Sequence, residues 1–142
     1  MLQLTASTYG SIVAHAYDGL PMEACGLLGG LAGAATATAT ATATASVFYA
    51  TGNDAHSTKV YTVPPKEHLH AERDAEDRGL EIIGVVHSHT HTDAYPSPTD
   101  IASAPDPSWH YLIVSLRDEA PTMRSYLIVN GNITEEPVVV AG

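Results

Sequence analysis

The chain of 142 residues holds one cysteine, Cys25, so no intramolecular disulfide can form. Stability must come from a core, and 44% hydrophobic residues over this length suffice to build one, most simply as a single domain, residues 1–142. Positive charge is equally scarce. Six Lys and Arg stand against sixteen Asp and Glu, a formal net charge of −10. That balance argues against nucleic acid and against anionic membrane surfaces, and leaves a protein or a small molecule as the expected partner. No stretch approaches the roughly eighteen apolar residues that cross a bilayer. The N-terminus lacks the basic start and apolar run of a signal peptide, which places the expected compartment in the cytoplasm.

What is there divides into short elements. Tyr9, Ile12, Val13, Ala16 and Tyr17 fall at helical spacing, with Ser and Thr cap candidates before them and Asp18-Gly19 after. Pro21 restarts the chain, Glu23 follows, and Cys25 to Gly30 reads as a strand of small residues. Residues 34–45 alternate Ala and Thr and read as an extended loop, although the strand preference of Thr leaves open a prolongation of the strands on either side. Ser46 to Ala50 reads as a strand, Tyr61 to Val63 as a short extended piece stopped by Pro64-Pro65, and Asn53 lies in the polar loop between them. Lys66 to Arg78 predicts a largely solvent-facing helix closed by Gly79. Leu80 to Val86 predicts a central strand buried on both faces, delivering His87 at its end. Tyr111 to Leu116 and Tyr126 to Val129 read as strands, and Asn130-Gly131 as a type I′ turn leading into Ile133 and Val138 to Val140. The expected fold is α/β (α+β), a mixed sheet flanked by helices.

The chemistry sits in His87-Ser88-His89, followed after seven residues by Ser97-Pro98-Thr99-Asp100. Two histidines one residue apart face the same side of an extended strand, and Asp100 can supply a third ligand from the next turn. These four residues at these offsets arise by chance in roughly two chains per thousand. Two imidazoles and one carboxylate suit zinc, with iron and manganese as rivals. Such a set leaves a position for water, whose pKa the ion lowers. A carboxylate outside the ligand set must then shuttle the proton; Glu23, beside the apolar Cys25, Leu27 and Leu28, is the candidate. Ser97 can donate a hydrogen bond to the oxyanion formed at an attacked carbonyl.

Each residue also has a bland reading. Ser97-Pro98-Thr99-Asp100 fits a helix start with a capping box, a role compatible with ligation. His91 continues the alternation as a rival ligand. His68 and His70 read as solvated helix residues, Asp93 and Asp106 as turn residues, and Cys25 as a small buried hydrophobe.

Glu23 in Pro21-Met22-Glu23-Ala24-Cys25-Gly26-Leu27-Leu28, with the His-Ser-His, Ser and Asp motif, resembles the JAMM (MPN+) metalloprotease family. The resemblance covers nearly the whole chain. It implies a JAB1/MPN-like (cytidine-deaminase-like) domain with one catalytic zinc (Zn2+), ligands His87, His89 and Asp100, Glu23 as acid/base and Ser97 as stabiliser of the tetrahedral intermediate. The segments Val86 to Thr90, Ala94 to Ser97, Trp109 to Ser115, Arg124 to Tyr126 and Thr134 to Val138 resemble the bacterial Mec subgroup. That closer resemblance implies release of cysteine from the C-terminal Gly-Gly tail of a ubiquitin-like, CysO-type sulfur-carrier protein. A broader peptidase or isopeptidase of ubiquitin-like proteins, and a non-catalytic zinc module binding such a partner, stand as alternatives. The sequence leaves the oligomeric state, a homodimer included, open.

Overall fold

The computed structural model describes residues 1–33 and 41–141. Strand β1 (Leu2–Thr5) runs directly into helix α1 (Ala6–Asp18), because Thr5 serves as N-cap and its hydroxyl accepts from the Thr8 amide at 3.2 Å. β1 is too short to announce itself in the sequence. It pairs with β3 (Ala43–Thr51), which begins inside the Ala-Thr tract rather than at Ser46. The loop expected over 34–45 is corrected for its last three residues: Ala43 and Ala45 are buried, because the period of the tract matches the pleat and turns alanines inward against β1. Residues 34–40 lie outside the described residues.

β2 (Cys25–Leu31) pairs antiparallel with β3 on one side and β4 (Glu81–His89) on the other. Helix α2 (Pro65–Asp77) follows β3 and buries only Ala71 and Ala75. Tyr61 to Val63 lead into it without joining the sheet. After β4 come α3 (Pro98–Ala102), β5 (His110–Ser115), β6 (Thr122–Val129), β7 (Asn132–Glu136) and β8 (Val138–Ala141). Asn130 and Gly131 take positive φ of 51° and 79°, the type I′ geometry the dipeptide predicts between β6 and β7.

The strands form one mixed sheet in the order β7-β6-β5-β4-β2-β3-β1-β8. β7 and β8 stand at opposite ends of that order, yet Pro137 alone separates them, so the sheet curls back on itself. One face packs Leu28, Ile83, Val86, Leu112 and Val114 against Ile12 and Ala16 of α1. The other packs Leu27, Val85, Tyr111 and Ile113 against Ala71 of α2 and, at its margin, Ile101 of α3. Among the described residues no helix is long and apolar enough to cross a membrane.

Candidate metal centre

A bulge in β4 decides where the histidines point. Gly84 pairs with Leu28 and Ile82 with Gly29, leaving Ile83 as an extra residue. Ile83 faces α1, and strict alternation would send 85, 87 and 89 the same way; the extra residue flips the parity, so Val85 packs on the α2 side instead. Gly84 is required beside it, since a Cβ there would meet the His110 carbonyl oxygen of the parallel strand β5. His87 and His89 follow Val85 to the α2 face, where the Tyr61 ring stacks on His87 at 4.3 Å between centroids.

On that face three atoms converge. His87 Nε2 lies 3.1 Å from His89 Nε2 and 3.1 Å from Asp100 Oδ2, and His89 Nε2 lies 3.2 Å from the same oxygen. Ligands held tetrahedrally at about 2.0–2.1 Å from one ion stand about 3.3 Å apart, so the trio has metal-ligand spacing. Two facing imidazole nitrogens also repel unless a proton or a cation lies between them. His89 Nδ1 reaches the Asp93 carbonyl at 2.7 Å, which fixes the tautomer by donating there and turns the Nε2 lone pair toward the trio. Asp100 is aimed from α3. Ser97 caps that helix with the expected capping box: its hydroxyl accepts from the Asp100 amide at 3.1 Å and its own amide donates to Asp100 Oδ2 at 2.8 Å.

Glu23 stands just outside this trio. A carboxylate oxygen of Glu23 and one ring nitrogen each of His87 and His89 lie within 4.8 Å of one another. The Ser88 side chain, on the opposite face from its histidine neighbours, accepts from the Ala24 amide at 2.8 Å, and the Ser88 amide donates to the Ala24 carbonyl at 2.9 Å. The Glu23 amide donates to the Ser57 carbonyl, and Asn53 Nδ2 donates to the Glu23 carbonyl at 3.0 Å. Its backbone is thus clamped from two sides while Oε1 is buried without a hydrogen-bond partner among the described residues.

The electrostatics follow the packing. Burial pushes the Glu23 carboxyl up to about 7, with His89 opposing and Asp100 adding to the rise. Burial also works to raise Asp100, but hydrogen bonds from His87 and His89 overcome it and hold the carboxyl well below the usual range. His87 is lowered by complete burial, against the pull of Asp100. Burial works to lower His89 as well, but its hydrogen bonds to Asp100 and the Asp93 carbonyl, with the nearby Glu23 charge, outweigh it and raise the imidazole.

Other residues singled out in the sequence lie elsewhere. His91 is exposed and outside the trio. His70 is exposed, but His68 is half-buried, its ring 5.6 Å from that of Trp109, because the narrow apolar face of α2 turns it toward the sheet. Asp93 pairs with Arg117 at 2.6 Å, and Asp106 accepts from Ser108 as a turn residue does. Cys25 is buried, and burial pushes its thiol up to about 11, so it stays protonated. Tyr61, Asn53 and Ser57 support the site without a motif to mark them; only the density of polar residues between β3 and α2 hinted that this loop has work to do.

Residues 5–129 match the model for prokaryotic homologues of the JAB domain, and the chain belongs to that family. The JAB1/MPN domain protein of Archaeoglobus fulgidus, at TM-score 0.60 over 100% of this chain and 98% of that one, is 15% identical and agrees in fold. A solution structure from Desulfitobacterium hafniense is more similar, at TM-score 0.85 and 34% identity over 99% of this chain and 93% of that one. In sequence, the chain is similar to the CysO-cysteine peptidase of Mycobacterium tuberculosis, 38% identical over 141 residues, 99% of this chain and 91% of the relative. It is also similar to the desampylase of Haloferax volcanii, 34% identical over 119 residues, 80% of each.

Proposed function

We propose that the chain is a zinc-dependent amide hydrolase that releases cysteine from the C-terminal Gly-Gly tail of a ubiquitin-like sulfur-carrier protein. The observation that carries the chemistry is the trio of His87, His89 and Asp100 at 3.1–3.2 Å with the buried Glu23 beside it. Similarity to a CysO-cysteine peptidase over nearly the whole chain supports the peptidase class and the substrate. In this reading His87, His89 and Asp100 hold the metal. Zinc supplies a Lewis acid that lowers the pKa of water and polarises the scissile carbonyl. Glu23, raised to about 7, takes the proton from the attacking water and returns it to the leaving nitrogen. The Ser97 hydroxyl, whose oxygen already caps α3, keeps its own proton to donate to the oxyanion. The C–N bond breaks, leaving the glycine carboxylate on the carrier and a free amine on cysteine. We place the reaction in the cytoplasm.

The similarity to a desampylase supports a second reading, a broader peptidase acting on conjugates of ubiquitin-like proteins. Mass spectrometry of a carrier ending Gly-Gly-Cys, incubated with the zinc-loaded protein or with Glu23→Gln, separates the outcomes. Loss of one cysteine with the unaltered protein alone is expected. Cleavage of a lysine isopeptide conjugate in preference to the cysteine adduct would move the assignment to the second reading, and cleavage of neither would sink both.

A further inference from the structure

Two cavities flank the histidine and aspartate trio. One, of about 300 Å³, has apolar walls from Leu27, Val63, Val85 and Trp109 and reaches Asp100. The other, of about 280 Å³, is lined by Glu23, His89 and Ser97 together with Lys59 and His91. Glu23 lines the second and not the first, and the further cavity it borders, beside Met22 and Asn53, is lined by none of the trio. A general acid must lie within hydrogen-bond reach of the nitrogen it protonates, so the amine side of the scissile bond belongs in the second cavity. At about 280 Å³ it has room for a single small residue.

Lys59 is the only Lys or Arg in that lining, in a chain of net charge −10. None of the ion pairs among the described residues engages it. Its backbone is fixed. The Lys59 and Val60 amides donate to the Ser57 hydroxyl at 3.0 and 3.2 Å, and the Thr90 hydroxyl donates to the Thr58 carbonyl at 3.4 Å. The Ser57 carbonyl in turn accepts from the Glu23 amide at 2.8 Å, so one turn of chain positions both the acid/base and the lysine. An acidic protein repels an anionic leaving group, and the exposed Lys59, unpaired among the described residues, brings a positive charge to the rim of this cavity that offsets the repulsion.

Resting on the amide-hydrolase reading above, we propose that Lys59 binds the free α-carboxylate of the residue being released, so that the site takes a single C-terminal amino acid as its leaving group. The test uses zinc-loaded protein and two carriers that differ in one group, one ending Gly-Gly-Cys with a free carboxylate and one ending in the carboxamide of the same cysteine. The unaltered protein is expected to favour the acid by at least about tenfold in kcat/KM, chiefly through KM, as a charge-assisted contact made to ground and transition states alike. Lys59→Met brings the acid-to-amide ratio close to one, and Lys59→Arg restores most of it. Equal cleavage of the two carriers by the unaltered protein overturns the inference while leaving the hydrolase intact, and so does a ratio that survives Lys59→Met. Cleavage of neither carrier overturns the hydrolase reading and this inference with it.

Discussion

The sheet carries two buried clusters of carboxylate and histidine, and they are built to opposite ends. At the junction of β5, β6 and β7, Glu136 Oε2 accepts from His110 Nδ1 at 2.5 Å and from the Ser125 hydroxyl at 2.8 Å, while Oε1 faces the Met1 amino nitrogen at 3.1 Å. Oε1 makes no hydrogen bond among the described residues, but the N-terminal charge stands opposite it, so every charge in this cluster has its counterpart. At the carboxyl end of β4 the matching fails: two imidazole nitrogens face each other, and Glu23 Oε1 and His87 Nδ1 are buried without partners among the described residues. A buried polar atom left unpaired costs about 1–3 kcal/mol, so such a cluster persists only where something else completes it. The first cluster holds the sheet together; the second has the valences left over for chemistry.

Removing the charge of Asp100 breaks the second cluster most severely. Asp100→Asn keeps the size of the helix-capping side chain but loses a ligand charge, and we expect metal content near zero and turnover lower by about 10⁴-fold, the several kcal/mol the metal supplies. A variant that keeps one metal per chain, read by atomic absorption, would contradict the ligand set. Glu23→Gln is expected to keep its metal and lose about 10³-fold in kcat. Because burial raises Glu23 to about 7, kcat/KM of the unaltered protein should climb with pH through that region as one ionisation, and the residual activity of Glu23→Gln should not. Ser97→Ala is expected to cost about 10²-fold in kcat with KM little changed, together with about 1 kcal/mol of stability from the lost cap. An unchanged kcat alongside lower stability would leave Ser97 a cap alone.

The comparison sharpens in the pH dependence of stability. Glu23 has a folded pKa of about 7 against an ordinary value of 4.5, so in metal-stripped protein its contribution is present below 4.5 and lost as pH rises toward 7. Glu136 runs the other way: burial raises it, but the His110 and Ser125 hydrogen bonds prevail and lower it, so its contribution is present above 4.5 and lost as pH falls through its folded value. Thermal unfolding of metal-stripped variants reads both signs. The advantage of Glu23→Gln over the unaltered protein should grow from pH 4.5 to 7, and the deficit of Glu136→Gln should shrink in more acidic buffer. Parallel curves would erase the contrast. The smallest effect is expected at Tyr61, where Tyr61→Leu removes a stacked ring from His87 and should cost about 1 kcal/mol with metal retained.

Much of the site was legible because it is local in sequence. His87 and His89 share a face through the two-residue period of a strand, and Ser97 and Asp100 meet through the first turn of a helix. The approach of Glu23 was legible only through its motif, since Cys25 pairs with His87 across more than sixty positions of chain. β1 was not legible, because four residues cannot display a period. Ala43–Ala45 were misread because an Ala-Thr alternation carries little apolar surface until a neighbouring strand covers it.

The sequence by itself determined the spacing of two imidazoles along β4 and of one carboxylate on α3, and the central strand that carries the histidines, since those rest on periods of two and of a helical turn. Only the tertiary structure decided which face the histidines occupy, through one extra residue at Ile83, and which side chains enclose them. Burial decided the rest: the same carboxyl group sits near 7 at Glu23 and well below the ordinary range at Asp100, because desolvation outweighs the pull of His89 at one and is overcome by hydrogen bonds from two imidazoles at the other.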